Sequence, residues 1–227
     1  MITGTASQYF GSIVDSYDSL IRRAVPRYDE MVERLTTYLP PQARSVLELG
    51  CGTGNFSVSL SGAYPSSTLT FVDGAEEMIR TTAHRLGEDR ERFTFLTSRF
   101  EDLEPGIGPF DLITSSISLH HVDDKQRLYD LLFSRLTPGG WLMFADQMRG
   151  ASEEIHEINW SQWLAFCRSS GQCSPDEVQS LLDHAEAHDH YTSLQDHFTL
   201  LSGAGFTQLD CVWRNWIWGI VLARREE

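Results

Sequence analysis

The 227-residue chain is poor in several things that define whole classes of protein. It has four cysteines, Cys51, Cys167, Cys173 and Cys211, and no two are spaced as Cys-x-x-Cys. They read as free thiols of a reducing compartment, with neither a disulfide framework nor a cysteine zinc site expected. Cations are scarce: 18 Lys and Arg against 32 Asp and Glu give a net charge of −14, and no basic run occurs. Nucleic acid is therefore a poor candidate partner, since phosphate contacts need clustered cations. The acidity suits a neutral or cationic small molecule instead. No apolar run approaches the roughly 18 residues of a membrane-crossing helix. The first residues, Met1 to Ser7, carry neither a basic nor an apolar leader segment. No membrane partner is expected, and the simplest location is cytoplasmic. With 41% apolar residues the chain can fill one sizeable core, so a single domain over 1–227 is expected.

What is present begins at Ser45. The apolar strand Val46-Leu47-Glu48-Leu49 runs into Gly50-Cys51-Gly52-Thr53-Gly54, and a helix-compatible segment follows. A strand, a glycine-rich turn and a helix start let backbone come close to a nucleoside ligand. The spacing is Gly-x-Gly-x-Gly, not the Gly-x-Gly-x-x-Gly of dinucleotide sites. Glu48 just before the turn disfavours a pyrophosphate and favours a cationic ligand. Strand and helix then alternate: strands at 45–49, 68–72, 93–96, 110–115 and 140–146, helices at 54–62, 75–86 and 124–136. This implies a doubly wound α/β sheet of mostly parallel strands. Ligands bind such sheets at the carboxyl ends of the strands, where Gly50, Asp73 and Ser115 fall. Helices are expected at 7–22, 27–39 and 193–202, and the period-two run Trp216, Trp218, Ile220, Leu222 reads as half of a final antiparallel hairpin.

The segment Glu48 to Gly54 resembles the first motif of the class I S-adenosylmethionine-dependent methyltransferases. Asp73, 19 positions after Gly54 at the end of the second strand, is similar to the family's ribose-binding acid. A carboxylate suits a vicinal diol because it offers acceptors and no donor. Phe110 to Ser116 followed by Leu119-His120-His121, and Leu136-Thr137-Pro138-Gly139-Gly140, look like the family's fourth-strand and fifth-strand motifs. The resemblance covers residues 7–147 well and 206–223 less specifically. It implies a Rossmann-like, seven-stranded sheet, an N-terminal helical cap over 1–40 and a helical lid over 151–190. It also implies S-adenosylmethionine as cofactor and small-molecule biosynthesis as setting; the cysteine and histidine spacing, not the resemblance, makes no metal the expectation. The cofactor site it implies comprises Glu48, Gly50, Gly52, Gly54, Asp73, Gly74, Met78, Phe100, Glu101, Ser115 and Arg22. Met78 would pack on adenine, a role its polarizable side chain suits. Arg99 stands where the family often has an acid, which shifts the adenine contact to Phe100 or Glu101. Tyr9 and Tyr17 would face the sulfonium, with Arg22 or Arg23 on the cofactor carboxylate.

Methyl transfer from a sulfonium needs alignment and exclusion of water more than covalent help. A base is needed only if the acceptor must lose a proton, and His120 is the candidate, ahead of His121, Asp146 and His190. His184 and His188, four apart, share a helix face. They read as incidental members of a polar face, since no third ligand stands at metal-site spacing. Ser174 and Pro175 mark a helix start within the lid, whose Trp160 and Trp163 serve equally to cover an acceptor or to pack an appended helix. Three functions stay open. One is methyl transfer to a small acceptor. Another is cyclisation of the cofactor to azetidine-2-carboxylate and methylthioadenosine. The third is non-catalytic nucleoside binding. Oligomeric state is equally open, the tryptophan-rich end serving as core or as a homodimer interface.

Overall fold

Glu48 and Leu49 end the first of five parallel strands, and the whole sheet is arranged around that end. The computed structural model describes residues 5–87, 89 and 91–226. Its strands are β1 (Ser45–Leu49), β2 (Thr68–Asp73), β3 (Phe93–Thr97), β4 (Phe110–Ser116), β5 (Leu136–Arg149), β6 (Thr192–Ser193), β7 (Thr207–Asn215) and β8 (Trp218–Arg224). Its helices are α1 (Ala6–Ala24), α2 (Tyr28–Thr37), α3 (Asn55–Ala63), α4 (Glu76–Leu86), α5 (Lys125–Arg135), α6 (Glu153–Cys167), α7 (Pro175–His188) and α8 (Leu194–Gly203). The sheet order is β3-β2-β1-β4-β5-β8-β7. β1 to β5 are mutually parallel, and β8 runs antiparallel to both β5 and β7. The expected seven strands are present, with one addition: the two-residue β6 pairs with Met148 and Arg149 at the far end of β5. β5 is longer than the expected 140–146, and that overhang is what β6 uses.

Alternate residues of each central strand enter different cores, as a pleated strand covered on both faces requires. Val46, Phe71, Leu112 and Met143 pack with Met31 and Leu35 of α2 and Phe56 and Leu60 of α3. Leu47, Val72, Ile113 and Phe144 pack on the other side with Leu128, Tyr129 and Leu132 of α5 and Leu201 of α8. Trp163 of α6 and Val178 of α7 join the first side, so the lid is rooted in a core. The lid is two helices. Ser174 caps α7 with a capping box to Glu177, and Pro175 occupies its first position.

The strand order reverses between β1 and β4. Their register pairs Leu49 with Ser115, and Leu49 also pairs with Val72. The carboxyl ends of β1, β2 and β4 thus form one edge, the crevice where ligands bind in open α/β sheets.

Candidate active site

The turn after β1 is built from backbone. Gly50, Gly52 and Gly54 all have positive φ, at 70°, 54° and 86°, a region that side chains other than glycine's rarely enter. A Cβ on Gly50 would overlap the Ser118 side chain, which is itself held by Ser115 Oγ at 2.6 Å and Leu49 O at 3.0 Å. The Gly50 and Cys51 N–H groups donate to Val72 O, locking the turn against β2. Asp73 completes the arrangement: Oδ2 accepts from Gly52 N and Oδ1 from Ala75 N, each at 2.9 Å. Burial raises the Asp73 pKa against these two donors. Asp18 of α1 ties the N-terminal helix to the loop, accepting from Thr53 Oγ1, from Asn55 Nδ2 at 2.9 Å and from Arg85 at 2.5 Å.

Two cavities open around this turn. The larger, about 680 Å³, is lined by Tyr17, Gly50, Gly52, Asp73, Gly74, Met78, Phe100 and Glu101 among the expected site residues. Arg99, Ser98, Ser118 and His121 also line it. Arg99 is mostly exposed and pairs with Glu101 at 3.2 Å. The inner cavity, about 70 Å³, is more enclosed and shares Phe10, Tyr17 and Ile117 with the first. Tyr9, His120, Gln147, Trp163, Tyr191 and Trp218 line it.

The remaining expected site residues lie elsewhere, for identifiable reasons. Arg22 is not in either lining; it sits on the outer face of α1, 3.3 Å from Asp29 and over the Tyr28 ring. Gly54 serves as the cap of α3, its Cα face against Thr82. Ser115 lies behind the larger cavity and fixes Ser118. Glu48 is buried beneath the turn, with Oε2 unpartnered, and burial pushes its pKa up to about 8. Tyr9 belongs to the inner cavity, its ring stacked 4.3 Å from His184. Trp163 has both parts that the sequence left open: it lines the inner cavity and donates from Nε1 to Ala24 O at 2.9 Å.

The histidines correct the sequence reading most. His184 is not part of a solvated face; it is buried, and burial pushes its pKa down to about 3. His120, from the 3₁₀ turn Leu119–His121, gives Nδ1 to Asp146 and turns Nε2 toward Asp189 at 3.7 Å. Burial lowers the His120 pKa, but the Asp146 and Asp189 carboxylates outweigh it and the pKa is raised. His121 Nδ1 lies 3.1 Å from Asp189. His190 pairs with Asp123 at 3.2 Å, and its backbone N–H donates to His120 O. His197 is a core residue bonded to Tyr129 Oη at 2.6 Å. Sequence reasoning missed Asp189, Gln147 and Ser118; only Ser118, three positions after a motif residue, carried any local signal.

Residues 46–140 match the family model described as a methyltransferase domain. Over that stretch the chain matches the class I S-adenosylmethionine-dependent methyltransferase family. S-adenosylmethionine is the cofactor of this family, and the glycine turn, Asp73 and the larger cavity fit it: a close backbone cradle, a two-oxygen acceptor and room for a nucleoside. Among curated methyltransferase-fold relatives, malonyl-[acyl-carrier protein] O-methyltransferase 2 of Ilyobacter polytropus is 26% identical over 71% of the chain. The chain spans 65% of that protein's length. Carboxy-S-adenosyl-L-methionine synthase of Aeromonas salmonicida is 26% identical over 93% of the chain and 88% of its own length. Among solved structures, human N-acetylserotonin methyltransferase with its cofactor superposes at a TM-score of 0.63 and 16% identity. That match covers 98% of this chain and 57% of the other. No helix among the described residues is long and apolar enough to cross a membrane.

Proposed function

We propose that this methyltransferase-family protein moves a methyl group by in-line displacement to a small, largely apolar acceptor seated in the inner cavity. The observation that carries this reading is the shared wall. Phe10, Tyr17 and Ile117 line both cavities, so a ligand in each would meet there. The cofactor supplies a methyl group on a positively charged sulfur. The protein supplies alignment and a dry approach. Tyr17, kept as a neutral phenol by burial, offers a ring suited to a cation. Gln147 Oε1 and Trp218 Nε1 are buried without partners, and both residues line the inner cavity. They offer an acceptor molecule one hydrogen-bond acceptor and one donor. His120 spends Nδ1 on Asp146 and turns Nε2 to Asp189, so the proposal does not use it as a base. The cyclising and non-catalytic alternatives gain no support from the relatives.

The test incubates the protein with S-adenosylmethionine, with and without a panel of small aromatic and aliphatic acceptors, under mass spectrometry. Acceptor-dependent adenosylhomocysteine and a methylated product are expected, both lost in Asp73→Ala. Methylthioadenosine formed without acceptor, or conversion of the cofactor itself to a heavier sulfonium, would overturn the reading.

A further inference from the structure

The carboxylate of Asp189 is divided between two tasks. Oδ2 accepts from Tyr191 Oη at 2.6 Å. Oδ1 is buried and makes no hydrogen bond, although three imidazole nitrogens surround it. His121 Nδ1 lies at 3.1 Å, His120 Nε2 at 3.7 Å and His184 Nε2 at 3.7 Å. His121 Nδ1 and both ring nitrogens of the buried His184 are likewise without hydrogen-bond partners. Four ligand-type atoms thus crowd together without bonding one another. Atoms that face a common centre behave this way. Tetrahedral coordination at the usual zinc–nitrogen and zinc–oxygen lengths sets ligands about 3.4 Å apart, and the three spacings from Asp189 Oδ1 bracket that value.

We propose that His120, His121, His184 and Asp189 form a binding site for a divalent transition-metal ion of the zinc class. His120, His121 and Asp189 are its core, their ligand atoms all within 4.8 Å of one another, and His184, outside that mutual distance, adds Nε2 at 3.7 Å from Asp189 Oδ1. A nitrogen-rich set with one carboxylate selects such ions over calcium or magnesium. The surroundings have the form that metal-binding histidines require. His120 gives its other nitrogen to Asp146, a buried carboxylate that fixes the ring and its tautomer. Asp146 is held in turn by the backbone N–H groups of His120 and Gln147. Two carboxylates with little exposure, Asp146 and Asp189, supply the negative charge that a divalent ion balances. The ligands come from separate segments, the turn after β4 and the end of α7, so an ion there would fasten the lid to the sheet. His120 and His184 line the inner cavity and His121 the cofactor cavity, so the ion sits in the wall between them. This site does not depend on methyl transfer, and its test needs no substrate.

The experiment strips the full chain with chelator, reloads it with Zn²⁺ or Co²⁺, and measures metal content, affinity and thermal midpoint. About one ion per chain is expected, with the visible spectrum of tetrahedral Co²⁺ and a raised midpoint. Asp189→Asn and His121→Ala should each weaken binding at least about tenfold, and Asp146→Asn by roughly 10–100-fold. His84→Ala, on the exposed face of α4, should change nothing. Circular dichroism and a cooperative thermal transition show that each variant folds. Folded protein that holds no stoichiometric metal would overturn the site, as would a Co²⁺ spectrum unchanged in both Asp189→Asn and His121→Ala.

Discussion

The two cavities are made of different material. The larger one is walled by turns at the carboxyl ends of β1 and β2, and its decisive contacts are backbone groups and one carboxylate, Asp73. The inner one is walled by side chains from α1, β5, the lid and β8, which meet only because the chain has folded. A site made of backbone has little freedom in its residues, because only glycine suits positive φ under close contact. A site made of side chains can be supplied from anywhere the topology reaches. The first tells which cofactor a chain holds, and the second decides what is done with it.

Gly50→Ala breaks the comparison on the side where the largest effect is expected. The new Cβ meets the buried Ser118 side chain at a φ of 70°. The left-handed conformation costs an alanine about 1–2 kcal/mol, and displacement of Ser118 adds about 1–3 kcal/mol. Cofactor affinity by calorimetry should fall about 100-fold or more. Gly87→Ala is the matched control, with a φ of 82° and open space around it. It should leave cofactor affinity unchanged. Equal losses in the two variants would show that backbone strain alone, not the cradle, governs binding.

Glu48→Gln probes the floor of the same turn. The Glu48 pKa is pushed by burial from 4.5 up to about 8, so the folded protein keeps a proton that the unfolded chain gives up between those values. Stability should therefore fall as pH rises from about 5 to 8, by roughly 3–4 kcal/mol, and level off above. Glutamine is neutral throughout and should flatten that slope, as read from urea midpoints at pH 5 and pH 8. An unchanged slope would show Glu48 ionised beneath the loop.

The same division explains what the sequence made legible. Strand period, the three glycines and Asp73 are local, and from them came the expectation of a mostly parallel doubly wound sheet with a ligand at the carboxyl ends of its strands. The Arg22 expectation failed because α1 turns that side chain outward to Asp29 while its neighbour Arg23 faces α7. Glu48 was read as near the ligand, yet the pleat puts it in the sheet interior, 1% exposed. The histidine cluster was invisible for a stronger reason. Spacing rules see His184 and His188 on one helix, but the partners of His184 are a turn more than sixty residues upstream and an aspartate beyond the end of α7. Nothing local in either segment announces the other.

The lid itself gives the smallest and most selective test. Arg23 of α1 holds Glu177 of α7 with two guanidinium bonds, at 2.8 and 2.6 Å, and also donates to Gln172 O. This hydrogen bonding holds the Glu177 carboxyl down to about 2, so its contribution is complete above the ordinary value of 4.5 and is lost as pH falls toward 2. Both side chains are about one-third exposed, at 30% and 33%, and solvent screening reduces the pair to about 0.5–1 kcal/mol. Glu177→Gln retains an oxygen for the capping bond from Ser174 N, so it removes the charge and spares the cap. Its thermal midpoint should drop by a few degrees at pH 7 in low salt, and the gap from wild type should narrow in high salt and below pH 4. Cofactor affinity should not move, because neither partner lines the larger cavity. A loss of cofactor affinity that tracks the loss of stability would mean that the lid and the glycine turn close as one unit, and the separation between the two regions would no longer hold.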